Sequence, residues 1–230
     1  MFKIRFDFDF ETYKKNVKHY KKTGNKPLHF TDTQRTTITN ACKLMERVSR
    51  VLATPGAHRN ERDALVRKWF KKPGNTSIAG ITNYLSKMNR VIADPSRTVT
   101  FADGSKRHLK IDMDPDNIDA TPTWRDKPVS SADMRGVEAW VFPLPGNGTL
   151  RQPSEYHAGS GFRILLGKAF PFSADLYEKA GVIYHELTHK ILGTNDHAYG
   201  ERSCMQLPAG RVMKNADNYN LLFQEFGKTI

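Results

Sequence analysis

The chain has 230 residues, 38% of them hydrophobic, with 13 Phe and 3 Trp; this is enough for the core of one large domain, with or without an arm, and excludes wholesale disorder. Its 36 basic and 24 acidic residues give a formal net charge of +12, which favours anionic partners, but the basic residues are scattered outside a cluster between Lys14 and Lys26, and no nucleic-acid-binding module is present. No run approaches the ~20 apolar residues of a membrane span, and two cysteines, Cys42 and Cys204, do not make a disulfide framework.

The first residues alternate (Phe2, Ile4, Phe6, Phe8, Phe10), which reads as a strand. A basic stretch follows, broken by Gly24 and Pro27. Residues 1–27 are read as an N-terminal arm, and residues 28–230 as one domain. The opening lacks the continuous apolar stretch of a signal peptide. Thr31-Asp32-Thr33-Gln34 has a capping-box pattern, and behind it Ile38, Cys42, Met45, Val48 and Leu52 mark one face of a helix that Pro55-Gly56 stops. On that face Cys42 reads as a buried free thiol, with a Cys42–Cys204 bridge left open. A short helix carries Leu65, Trp69 and Phe70 and ends at Pro73-Gly74. Another, capped within Asn75 to Ser77, has the face Ile78, Ile81, Leu85, Met88 and Ile92.

The period then falls to two. Thr98–Ala102, Asp103-Gly104 and Leu109–Ile111 predict a hairpin. Four aspartates between 112 and 119 lack the glycine and terminal Glu of an EF-hand and read as a solvated loop. Val137–Phe142 and Gly161–Leu166 predict strands, with a Pro- and Gly-containing loop over 143–160 between them. A C-terminal helix presents Tyr219, Leu222, Phe223 and Phe226. The expected class is α+β: N-terminal helices, a small mixed sheet, one central helix and a C-terminal helix in a single domain.

The chemistry concentrates in Tyr184 to Gly200. His185-Glu186-Leu187-Thr188-His189 places two imidazoles four residues apart, on one face of a helix, where they can grip one ion. Glu186 then lies beside that ion, in the position of a general base. Leu176, Ala180, Ile183, Leu187 and Ile191 recur at helical spacing and bury the other face. A catalytic zinc needs a third protein ligand and leaves the fourth position to water. Gly193 suits the helix end, after which the chain can present Asp196, with His197 as the competing ligand. The pattern HExxHxxGxxH is excluded, because Leu192 and Asn195 stand where it needs Gly and His.

The stretch Gly193-Thr194-Asn195-Asp196-His197-Ala198-Tyr199-Gly200 reads GTxDxxYG. With HExxH before it and Asn215-Ala216-Asp217-Asn218-Tyr219 after it, it resembles the aspzincins, the deuterolysin and peptidyl-Lys metalloendopeptidase family. Residues 163–170 look like the strand that precedes that family's active-site helix. The close resemblance runs over roughly residues 160 to 227.

The resemblance implies a zincin-like fold, one Zn2+ held by His185, His189 and Asp196, and Glu186 as catalytic base. It favours Asp196 over His197 and suggests Tyr199 as the donor to the oxyanion. It gives Asp217 a place in the pocket for the residue after the cut, beside a reading in which Asp217 orients a zinc-bound His. Lysine-specific members carry a Glu where this chain has Asn220, so a relaxed basic preference is expected. Strand 163–166, and Leu165 within it, would hold an extended peptide if it lies at a sheet edge. Secreted fungal members carry several disulfides; here Gly167 stands where such members often have a Cys, so this chain looks like a branch made in a reducing compartment.

The expected function is therefore zinc endopeptidase, acting on peptide or protein substrates. An effector or toxin of a bacterium is expected, exported by a non-classical route, with a cognate inhibitor or secretion-machine component as partner. The alternative is a non-catalytic binding or adaptor protein on the same scaffold, against which the intact Glu186 speaks.

Overall fold

The computed structural model describes residues 32–70, 78–93, 109–113, 138–140, 162–166, 170–171 and 173–230. The arm (1–27), the start of the expected hairpin (98–104), the aspartate-rich loop beyond 113 and the loop 143–160 lie outside the described residues.

The N-terminal apolar stripes fold as helices. Helix α1 (Asp32–Ala53) buries Ile38, Cys42, Met45, Val48 and Leu52, with Ala41 and Leu44 beside them. A short 3-10 turn (Gly56–His58) leads into α2 (Arg59–Phe70), which buries Val66, Trp69 and Phe70. Helix α3 (Ile78–Ala93) buries Ile81, Leu85, Met88, Val91 and Ile92. Three strands follow, β1 (Leu109–Met113), β2 (Ala139–Trp140) and β3 (Phe162–Leu166). The last third is helical: α4 (Leu176–Leu192), α5 (Gly200–Gln206), α6 (Ala209–Val212) and α7 (Ala216–Gly227).

The α+β expectation is corrected here. The architecture among the described residues is helical. Helices α1, α3 and α4 have 22, 16 and 17 residues, against 5, 2 and 5 for the strands. Of the strand residues whose burial is described, Ala139, Ile164 and Leu166 join a core that otherwise comes almost wholly from helices. They form a patch in the order β1-β3-β2, too small to be a layer of the fold. Period-two patterning identified extended backbone, but among the described residues the strands are too few and too short to set the architecture.

Strand pairing also departs from expectation. Leu109 to Ile111 does not turn back on a described neighbour; β1 pairs in parallel with β3, Leu109 opposite Phe162. Strand β2 pairs antiparallel with the other side of β3, Ala139 opposite Leu166 and Trp140 opposite Leu165. Among the described residues β3 is thus central, flanked by β1 and β2, and not the edge strand expected of 163–166 and Leu165.

Helix α4 is the centre of the packing, lying against α1, α3 and α7. Asp175 starts it: in extended backbone, its carboxylate accepts the Glu178 N–H at 2.7 Å, one of the donors a helix leaves unpaired at its start. Gly193 ends it with φ 68°, a left-handed conformation that costs glycine little. Tyr184 stacks on Phe223 of α7 at 4.6 Å between ring centres. Gly181 allows the approach of α7, since a Cβ there would lie 2.3 Å from Asn220 Oδ1. Helix α2 is tied to α7 through Glu225, which accepts from Lys68 Nζ at 2.9 Å and from Trp69 Nε1 at 2.9 Å. Cys42 and Cys204 are both buried free thiols.

Candidate metal centre

Helix α4 carries His185 and His189 one turn apart, and the left-handed Gly193 turns the chain back over them. Their Nε2 atoms lie 3.2 Å apart. Asp196 Oδ1 lies 3.0 Å from the first and 3.2 Å from the second. Four-coordinate zinc, at about 2.0–2.1 Å from each ligand, separates its ligands by about 3.3 Å. The three atoms therefore form a triangle of nearly that size, and the Asp196 side chain, 40% exposed, leaves one side open. Among the described residues this is the group of His, Cys, Asp and Glu side chains whose atoms converge well enough to hold a metal ion. His197 is not part of it.

Each imidazole is oriented from behind. His189 Nδ1 lies 2.9 Å from the Thr194 carbonyl, so it donates there and leaves Nε2 for the ion. His185 Nδ1 faces Asp217 Oδ1 at 3.6 Å. Thr188 Oγ donates to the His185 carbonyl at 2.7 Å and meets Thr194 Oγ at 2.7 Å, which locks the helix end to the loop.

The loop bearing Asp196 is fixed from α7. Asn215 Oδ1 accepts the backbone N–H groups of His197 at 2.8 Å and Ala198 at 3.0 Å, and its Nδ2 donates to the Ala198 carbonyl at 3.0 Å. Backbone bonds between Asn195 and the 214–216 segment complete the clamp. Asn218 Nδ2 donates to the Trp69 carbonyl at 2.7 Å and anchors the assembly to α2.

The electrostatics suit a cation. Burial opposes charge on all three ligands, but their mutual contacts win. The carboxylates of Asp196 and Asp217 lift His185 to about 10 against the downward push of burial. His189 is raised in the same way, chiefly by Asp196. Asp196 is held far below the carboxylate range by the two imidazoles, although burial pushes it up. The carboxylates thus favour positive charge at the centre of the triangle.

Glu186 is buried beside the triangle and lines a cleft of about 460 Å³ together with His185, Tyr199, Asp217 and Asn220. Burial pushes its carboxyl up, opposed by the two histidines. Tyr199 is 62% exposed, and its ring lies nearly parallel to that of His185, at 5.9 Å and 13°. Burial and the Asp196 carboxylate hold its phenol well above the usual range, so it remains a protonated donor at neutral pH. Asp217 accepts from Gly200 N at 2.7 Å and Asn220 Nδ2 at 2.8 Å. The side chain of Leu165 lies outside the described residues; Ala139 of β2, opposite Leu166, is in the cleft lining. Sequence reasoning did not find Glu138, also in the lining, because it reaches the cleft from a strand 47 residues before His185. Nor did it assign a role to Asn215, although the segment containing it was in view.

Residues 168–224 match the aspzincin family model, described as lysine-specific metallo-endopeptidase. The chain is similar to two proteins of Coccidioides posadasii (strain C735). It is 46% identical to neutral protease 2 homolog MEP3 and 48% identical to neutral protease 2 homolog MEP5, each over 44 residues. Those residues make up 17% of this chain and 12% of each relative. The family so matched is one of zinc-dependent metallopeptidases, and the matched segment is the one that builds the His185–His189–Asp196 triangle.

Proposed function

We propose that this chain is a zinc-dependent endopeptidase. The observation that carries the reading is the triangle of His185 Nε2, His189 Nε2 and Asp196 Oδ1, with Glu186 buried beside it and an open cleft in front. The donor set fits: two imidazoles, each with its second nitrogen engaged, and one carboxylate are a hydrolytic zinc set with room for a further ligand. Zinc held there would polarise the scissile carbonyl and lower the pKa of a water to about 7.

Glu186 takes a proton from the attacking water as the water oxygen bonds to the carbonyl carbon. It returns that proton to the amine nitrogen as the C–N bond breaks. Proton transfer of this kind contributes about 10²–10⁴-fold. Tyr199, exposed at the cleft and protonated, donates to the carbonyl oxygen as negative charge grows on it. Asp217 holds the His185 ring in place, and Asp217 and Asn220 together line the cleft where the substrate side chain enters. A relaxed preference for Lys or Arg after the cut is part of this reading.

The family match supports the reaction class for the matched segment only. Production in a reducing compartment, in keeping with two free thiols, and export as a bacterial effector with a cognate inhibitor are further parts of the proposal. The test is digestion of a peptide library by the zinc-loaded chain, with cleavage sites read by mass spectrometry. Cleavage that chelation abolishes and zinc restores is expected. Asp196→Ala should lose zinc while His197→Ala retains it. Cleavage indifferent to chelator, or zinc retained by Asp196→Ala and lost by His197→Ala, would overturn the assignment.

A further inference from the structure

The cleft holds an acid that the metal centre does not use. Glu138, immediately before β2, lines it together with Asp217 and Asn220. The two α7 residues are already committed. Asp217 Oδ1 takes the Asn220 amide at 2.8 Å and faces His185 Nδ1 at 3.6 Å, while Oδ2 takes Gly200 N at 2.7 Å and Cys204 Sγ at 3.6 Å. Asn220 donates to Asp217 and accepts from Gln224 Nε2 at 2.8 Å. A cation brought to Asp217 competes with these bonds, and Asn220 has no charge to offer it. Glu138 makes no hydrogen bond or ion pair with the described residues and is exposed to the cleft.

We propose that Glu138 is the residue that selects the substrate, receiving the ammonium or guanidinium of a basic side chain next to the cut bond. This rests on the peptidase reading above. Ala139 and Val182, both almost fully buried and both in the lining, offer apolar walls to the methylenes of such a side chain. The cationic end then meets a carboxylate that accepts no hydrogen bond from the described residues, while Asp217, in the same lining, adds its charge. The site without a ligand is unfavourable for Glu138: burial raises its carboxyl pKa, and the carboxylates of Glu178 and Asp217 add to this against the opposing pull of His185. A bound cation relieves that repulsion.

The experiment compares kcat/KM for paired peptides with Lys or uncharged norleucine immediately after the cut bond. It uses the zinc-loaded full chain, Glu138→Gln and Glu138→Lys, with zinc content measured for each. The Lys-to-norleucine ratio should fall at least about tenfold in Glu138→Gln, the scale of one hydrogen bond to a charged group. In Glu138→Lys the preference should move toward Asp or Glu. A second measurement needs no cleavage: n-butylammonium, but not n-butanol, should bind the zinc-loaded chain, with at least about tenfold weaker affinity in Glu138→Gln. Cleavage with an unaltered ratio in Glu138→Gln, or a ratio that collapses only in Asp217→Asn, overturns the assignment to Glu138. Butylammonium binding that depends on Glu138, in a chain that cleaves no peptide, would uphold the cation site and overturn the peptidase reading alone.

Discussion

Asn215 holds the His197 backbone N–H at 2.8 Å from its Oδ1, and through that bond the start of α7 fixes the loop that presents Asp196. One amide satisfies two backbone donors and one backbone acceptor of that loop. The third corner of the metal triangle is therefore built by a residue that touches none of the other corners. Asn215→Ala leaves those half-buried groups without their partner. Metal affinity should fall about 10–100-fold, as for loss of other groups that orient ligands, and a chelator competition titration measures it. Unchanged affinity would show that the loop holds its shape without the clamp.

Metal loading should release protons. In the metal-free chain the nearby carboxylates lift His185 to about 10 against the pull of burial, and raise His189 as well, so His185 carries a proton at neutral pH that zinc must displace. Zinc needs the imidazoles neutral at Nε2. Affinity should therefore rise with pH through the neutral range, by roughly tenfold per unit for each proton displaced, and level off as pH passes the raised values. Calorimetric titrations in buffers of different ionisation enthalpy count the protons directly. No release at pH 7 would contradict the charge state assigned to His185.

Gly181 and Asn220 set how closely α4 and α7 approach. Gly181→Ala would place a methyl 2.3 Å from Asn220 Oδ1 and 2.8 Å from Gln224 Cγ. The neighbours must shift and break the Gln224–Asn220 bond, so a loss of about 1–3 kcal/mol is expected in urea unfolding. Gln224→Ala added to Gly181→Ala should recover part of it. Equal stability of wild type and Gly181→Ala would mean that the helices part without strain.

Asp175 caps the helix that carries both histidines. Asp175→Ala should cost about 1 kcal/mol, read from thermal or urea unfolding. The Glu178 N–H, outweighing burial, holds the Asp175 carboxyl below its usual value, with help from Lys228 at 3.3 Å. Its folded pKa is depressed, so its contribution is complete above the unfolded value of about 3.9 and disappears as pH falls through the folded one. The wild-type advantage over Asp175→Ala should therefore shrink below about pH 4. An advantage that persists at pH 2 would point to packing and not to the cap.

Local signals made much of the site legible. His185 and His189 follow from helical spacing, Gly193 from the conformation its position requires, and the choice of Asp196 from the family motif. The apolar stripes of α1, α3 and α7 gave the core directly, because burial on a helix leaves a period of 3.6 in the sequence. The fold class was not legible. Short strands such as Ala139–Trp140 have the same local pattern whether they form a layer or a fringe, and only the number and length of their partners decides. The central position of β3 was hidden for the same reason, since strand order is a property of pairing and not of composition. Glu138 was out of reach because nothing in the sequence around it records that it comes to line a cleft with Asp217.

The central claim is that Glu186 performs proton transfer at a zinc site, and the most direct measurement is peptide cleavage by Glu186→Gln at full zinc occupancy. Gln keeps the shape of the buried side chain and removes the group that takes a proton. Zinc content and melting temperature should stay near wild type, while kcat falls at least ~10²-fold. Undiminished cleavage by Glu186→Gln with zinc bound would contradict the account.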